Sequence, residues 1–79
     1  MNIPIKLEIA ENPNTSPETL ALLAKDEEYD IRREVAVNPN TPLKTLALLA
    51  NDKDKDVSEI TFKSPILPNE YKMLHLMEY

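Results

Sequence analysis

The stretch NPNTSPETLALLAKD, residues 12–26, occurs again almost unchanged as NPNTPLKTLALLAND, residues 38–52. The two copies are 26 residues apart, and 12 of the 26 positions of 12–37 are identical to their counterparts in 38–63. A period of this length is typical of repeat proteins, in which each unit buries its apolar side against its neighbours. We therefore expect two stacked units, repeat 1 over 12–37 and repeat 2 over 38–63.

The first half of each unit has the pattern of an amphipathic helix. In repeat 1 the helix is predicted to run to about Lys25, with Thr15 as its N-terminal cap. Leu20, Leu23 and Ala24 recur at i, i+3 and i+4, which predicts that they form its buried stripe. The equivalent stripe of repeat 2 consists of Leu46, Leu49 and Ala50.

The second half of repeat 1 predicts another helix, over roughly 29–37, which makes each unit a helical hairpin. Acidic residues before this helix suit the positive end of its dipole. We expect inward side chains at Ile31, Val35 and Ala36 and outward side chains at Arg32, Arg33 and Glu34.

Both ends of the chain depart from the repeat. Residues 5–11 look like the second half of a unit, which predicts a short helix that starts the stack. A third copy begins after repeat 2, but it would place Lys72 and His75 at core positions, where such residues are rare. We therefore expect residues 64–79 to form a divergent C-terminal cap with a rotated helix over about 69–78. Its apolar stripes would be Met73, Leu76 and Met77 on one face and Tyr71 and Leu74 on another.

Composition excludes several classes of protein. The chain has 79 residues, which predicts one small domain over 1–79, and it contains no cysteine, so disulfides and thiolate sites are excluded. Its net charge of −5 argues against general binding to nucleic acid or anionic membranes. No apolar run reaches the length of a membrane span, and the N-terminus lacks the pattern of a signal peptide. A cytoplasmic protein with no membrane partner is the expectation.

The repeated string, together with Ile31-Arg32-Arg33 and Val35-Ala36, resembles the leucine-rich-repeat-variant family of bacterial helical repeats and, more loosely, HEAT repeats. The resemblance covers about residues 5–57 and weakens where Ser58 and Glu59 replace the two arginines. It implies an all-α fold, a short right-handed solenoid of stacked helical hairpins in two layers. It implies no shared activity, and this chain lacks the cysteines with which some relatives hold an iron–sulfur cluster.

No set of residues predicts chemistry. His75 is the only histidine, and no nucleophile or orienting group is recognisable for it. The acidic runs at 26–30 and 52–56 lack the glycine of a calcium-binding loop and are better explained as residues that begin helices. We therefore predict a protein that is not an enzyme, with no catalytic, cofactor-binding or metal-binding residue and no cofactor. A small enzyme or metalloprotein is kept as a third hypothesis.

The favoured function is protein–protein interaction, with self-association through the C-terminal helix, because a helix apolar on two faces is normally covered on both. The alternative is a nucleic-acid-associated accessory protein with a HEAT-like scaffold, which the acidic net charge opposes. Arg32 and Arg33 are candidates for gripping an acidic partner, but solvated charges paired with Asp26 or Glu28 explain them as well. The predicted interaction surface consists of Tyr71, Met73, Leu74, Met77 and Tyr79, together with Arg32 and Arg33.

Overall fold

The computed structural model describes residues 2–70, and these form five helices and no strand. The helices are α1 (Ile3–Glu11), α2 (Pro17–Leu23), α3 (Tyr29–Val37), α4 (Leu43–Leu49) and α5 (Lys55–Phe62). The all-α prediction is therefore confirmed for the described part of the chain. The predicted C-terminal helix, apart from its first two residues, lies outside the described residues.

The helices begin where the sequence supplies caps and prolines. Pro4 and Pro17 lie in first turns, where a missing N–H costs no intrahelical bond. The predicted cap at Thr15 is wrong by one residue, because Ser16 caps α2 and accepts a hydrogen bond from the Thr19 N–H. The Thr15 hydroxyl instead donates to the Ile9 carbonyl at 2.5 Å, which ties the turn back to α1.

The same tie is repeated one period later. The Thr41 hydroxyl donates to the Val35 carbonyl at 2.6 Å, and α4 starts after Pro42 without a side-chain cap. Each NPNT threonine is therefore a link between the turn and the preceding helix. In repeat 1 this link replaces the capping role that the sequence predicted for Thr15.

The odd-numbered helices form one layer and the even-numbered helices lie against it. α3 packs between α1 and α5, α2 packs against α1 and α3, and α4 packs against α3 and α5. None of the helices formed by residues 2–70 combines the length and apolarity needed to cross a bilayer.

The core contains the predicted stripes together with Ala10, Val57 and Leu67. Leu23 is only partly buried but packs against the core, and Leu67 lies against the stripe of repeat 2. Full burial of a leucine contributes about 1.5–3 kcal/mol, so these side chains supply much of the stability of a domain this small. The predicted core residues that are buried are Leu20, Ala24, Ile31, Val35, Ala36, Leu46, Leu49 and Ala50.

Candidate interaction surface

The turns that precede α2 and α4 are held together by asparagine side chains. The Asn38 side-chain amide is buried and donates to the Asn12 carbonyl at 2.9 Å. The Asn38 Oδ1 accepts from the Asn40 N–H at 2.8 Å, and the Asn40 amide donates to the Thr15 carbonyl at 2.6 Å. The N-terminal ends of α2 and α4 therefore lie side by side.

Arg32 holds the C-terminal ends of the same two helices together. Its Nε and Nη2 donate to the two carboxylate oxygens of Asp52 at 2.9 and 3.2 Å, a bidentate ion pair. Its Nη1 donates to the carbonyls of Asp26 and Glu27 at 2.7 and 3.0 Å, in the loop that follows α2. Because both pairs of ends are joined, α2 and α4 run side by side in the same direction.

The prediction that Arg32 faces outward is wrong. The residue is 5% exposed, and its guanidinium is occupied by two carbonyls and one carboxylate. Burial is favourable here because a planar guanidinium with several donors satisfies all three acceptors at once. An arginine held in this way is not available to bind phosphate. Of the two arginines on which the nucleic-acid hypothesis depends, this leaves Arg33.

An equivalent ion pair lies one period earlier. The Lys6 Nζ donates to the Asp26 Oδ2 at 2.8 Å, and the Asp26 Oδ1 accepts from the Glu28 N–H at 2.9 Å. The hydrogen bond from Lys6, followed by the one from Glu28, holds the pKa of the Asp26 carboxyl below its ordinary value, against the opposing effect of burial. Asp26 and Asp52 therefore join successive units, which is more than the helix-starting role that the sequence predicted.

The side-by-side arrangement gives α2 and α4 a common outward face. Leu22 and Leu48, at the same position of the period, are 72% and 54% exposed, the two highest values among the large apolar side chains of residues 2–70. Exposed charges lie one turn earlier on each helix, at Glu18 and Lys44. We call this surface the leucine face, and it consists of Glu18, Ala21, Leu22, Lys44, Ala47 and Leu48.

A groove of about 330 Å³ opens beside this face, between the segments that follow α2 and α4. Leu48 contributes its apolar wall, and Lys25 and Lys53 contribute cations on either side. The Arg32–Asp52 pair also lines the groove, so the ion pair that fixes the two helices also shapes the space between them.

Arg33 is exposed, as predicted, and lines a different groove from Arg32. It lines a groove of about 300 Å³ with Asp56, Glu59, Ile60 and Lys63. Two cations and two anions share this groove, so it offers no concentrated charge of one sign. Arg32 and Arg33 do not form one surface, although they are adjacent in sequence.

The remaining predicted site residues cannot be placed. Tyr71, Met73, Leu74, Met77 and Tyr79 lie outside the described residues, as does His75, and the surface that they form stays a prediction. Among residues 2–70, no group of three or more acidic side chains or histidines is placed to hold a metal ion. Asp54 instead caps α5 by accepting from the N–H groups of Asp56 and Val57.

Sequence reasoning missed the Arg32–Asp52 pair, although the signal was present. Lys6 precedes Asp26 by 20 residues, Arg32 precedes Asp52 by 20 residues, and the two pairs are one period apart. In each pair a cation and an anion are 20 residues apart, and the pattern recurs after one period. Such residues are expected to meet when successive units stack. The leucine face was not predicted either, because the helical spacing was used only to assign the buried stripes of the two helices.

A sequence model of the family described as leucine rich repeat variant matches residues 29–54 and confirms the resemblance to that family. The matched segment is one period long and contains α3, the NPNT turn, α4 and the whole Arg32–Asp52 pair. Neither the comparison with curated proteins nor the comparison with solved structures found a match.

Proposed function

We propose that this chain is a non-enzymatic protein–protein interaction module, a short right-handed solenoid whose leucine face binds a protein partner. The observation that supports this most is the repeated exposure of Leu22 and Leu48. One exposed leucine is ordinary on any protein surface, but the same position is exposed in both copies of the repeat. Side-by-side helices thereby present a row of apolar side chains.

The scaffold beneath the leucine face is suited to binding because it is fixed before a partner arrives. Asn38 joins the N-terminal ends of α2 and α4, and Arg32 joins their C-terminal ends. A surface held in its binding geometry loses little conformational entropy on association. Burial of each leucine against a partner would contribute about 1.5–3 kcal/mol before the cost of association.

The predicted C-terminal surface fits the same proposal. Tyr71 and Leu74 form one of the two apolar stripes predicted for the C-terminal helix. We propose that Tyr71 and Leu74 extend the contact surface and support self-association. Size-exclusion chromatography with light scattering, on the full chain and on Tyr71→Ser and Leu74→Ser variants, tests this part. A monomer at high concentration that tolerates both changes would contradict it.

The main experiment is capture of partners in the native host by the full chain, followed by crosslinking and mass spectrometry. The Leu22→Ser/Leu48→Ser double variant should lose the captured protein, because its apolar contact is gone. The control is Ile5→Ser/Val37→Ser, which removes two exposed apolar side chains from α1 and α3. Equal capture by the double variant and by the unmodified chain would show that the leucine face does not bind.

A further inference from the structure

We propose that the partner of the leucine face is a second copy of this chain, arranged about a two-fold axis that runs along the helices between α2 and α4. This inference rests on the proposed function and names the partner. It follows from the charges of the face, which are complementary to those of the same face in another copy.

Glu18 and Lys44 occupy the same position in the period and carry opposite charge. Both are exposed, and neither forms an ion pair with another of residues 2–70. The NPNT positions and the segment TLALLA are identical in the two copies, whereas the charge is inverted at Glu18/Lys44 and again at Glu27/Lys53. Of these two pairs, Glu18 and Lys44 belong to the leucine face, and each presents an exposed charge one turn before the exposed leucine of its unit.

With a two-fold axis along the helices, the opposite charges of Glu18 and Lys44 form ion pairs between the two copies. Such a rotation keeps helix direction and places α2 of one copy over α4 of the other. Leu22 then meets Leu48 of the second copy, and Glu18 meets Lys44 of the second copy. The reciprocal contacts form at the same time, as in any isologous interface. Ala21 and Ala47, small and half-buried on the same face, allow the two layers to approach closely.

The competing arrangement has its two-fold axis across the helices. It reverses helix direction and brings Glu18 towards the end of α2 that carries Lys25, with no role for Lys44. Reversal of the charge at residue 44 therefore separates the two geometries.

The contact area predicts a weak, reversible dimer. Within residues 2–70, two helices of seven residues from each copy take part, whereas specific stable interfaces bury about 1,200–2,000 Å² in total. We expect association in the range of about 10 μM to 1 mM, as for small transient contacts. Because both ion pairs are solvent-exposed, we also expect added salt to weaken the dimer.

The test is sedimentation velocity at low ionic strength, over a concentration series of the full chain. Glu18→Lys and Lys44→Glu should each weaken association about tenfold, because both pairs become like-charged. An equimolar mixture of the two variants should associate at least as well as the unmodified chain, since each like-charged face meets its complement. The double variant Glu18→Lys/Lys44→Glu should also recover. Recovery in the mixture cannot arise from misfolding of either variant.

Matched controls make the same charge changes away from the leucine face, at Glu8→Lys on α1 and Lys63→Glu after α5. These should leave association within about twofold of the unmodified chain. A chain that stays monomeric throughout, single variants that associate normally, or a mixture that fails to recover would each overturn the two-fold arrangement. If any of these occurs while the Leu22→Ser/Leu48→Ser variant still loses a captured protein, the proposed function stands and only the second copy is excluded.

Discussion

The closing helices of the two repeats, α3 and α5, share a position but not a composition. α3 buries Ile31, Arg32, Val35 and Ala36. In α5 the buried residues are Val57 and Thr61, while Ser58 replaces the arginine and Phe62 replaces the alanine. The hairpin itself survives these changes, because Val57 still fills the position of Ile31.

This difference separates two kinds of residue within the repeat. Ile31 and Val57 are both fully buried in the core, and both copies keep a β-branched apolar side chain there. Arg32 joins the two units, since it reaches Asp52 of repeat 2. α1 carries Lys6 at the position of Arg32 and Ala10 at the position of Ala36, and Ala10 is fully buried.

The largest expected effect comes from giving α3 the residue that α5 has, Arg32→Ser. The change leaves the Asp52 carboxylate, whose side chain is 9% exposed, and the carbonyls of Asp26 and Glu27 without their donor. Removal of one partner of a buried pair costs about 3–5 kcal/mol. We expect about 3 kcal/mol here, because the pair borders an open groove that admits water. Urea unfolding followed by circular dichroism measures the loss.

Two control variants show whether the loss of stability in Arg32→Ser depends on position 32 or on the presence of an arginine. Arg33→Ser removes the neighbouring exposed arginine and should change the free energy of unfolding by no more than about 0.5 kcal/mol. Ser58→Arg places the arginine in α5 and should be similarly neutral, since residue 58 is only half-buried. A loss for Arg32→Ser no larger than the loss for Arg33→Ser would contradict the structural role of the pair.

A second difference between the copies is an exchange of polar and apolar side chains. In the first unit Val35 is buried and the Thr41 hydroxyl donates to its carbonyl. One period later Thr61 replaces the valine and Leu67 replaces the threonine. The Thr61 hydroxyl is satisfied by the Val57 carbonyl at 2.7 Å, and Leu67 packs into the core.

We predict that the same exchange, made in the first unit, costs less stability than its two substitutions do separately. Val35→Thr and Thr41→Leu should each destabilise the protein by about 1–2 kcal/mol, through a buried hydroxyl and through overpacking. The double variant should cost less than the sum by at least about 0.5 kcal/mol, because residues in contact are not additive. Thermal unfolding of the four proteins gives the coupling energy. Single effects that add within about 0.3 kcal/mol would show that the exchange is incidental.

The fold was predictable to the extent that local pattern determined it. Apolar residues at helical spacing begin at Leu20 and again at Leu46, and this spacing alone predicted the buried stripes of α2 and α4. The cap of α2 was misplaced because Thr15 and Ser16 offer equivalent hydroxyls, and only the contact with Ile9 decides between them.

The environment of Arg32 was not predictable from its own helix. Arginine is rarely buried, and helical periodicity places residue 32 beside Arg33 without naming a partner. Its acceptors come from two other segments of the chain, one of them 20 residues later. Contacts between units depend on how the units stack, and the residue pattern within one unit does not determine that stacking.

The smallest expected effect compares the two equivalent ion pairs, Lys6–Asp26 and Arg32–Asp52. The lysine makes one hydrogen bond to its aspartate, and its side chain is 29% exposed, against 6% for the arginine. Asp26→Asn should therefore cost only about 0.5–1 kcal/mol near neutral pH, in the range of partly exposed pairs. The matched variant Asp52→Asn should cost several times more, because its partner is buried.

The loss in Asp26→Asn should depend on pH in a defined direction. Because the pKa of the Asp26 carboxyl is lowered in the folded state, its ion pair stabilises the protein above the unfolded pKa of about 3.9. That stabilisation disappears as the pH falls through the lower pKa of the folded protein. The unmodified chain and Asp26→Asn should thus differ by a constant amount between about pH 5 and 7 and converge at lower pH. Urea unfolding at several pH values measures this, and a difference that grows on acidification would show that Asp26 is not stabilised as its carboxylate.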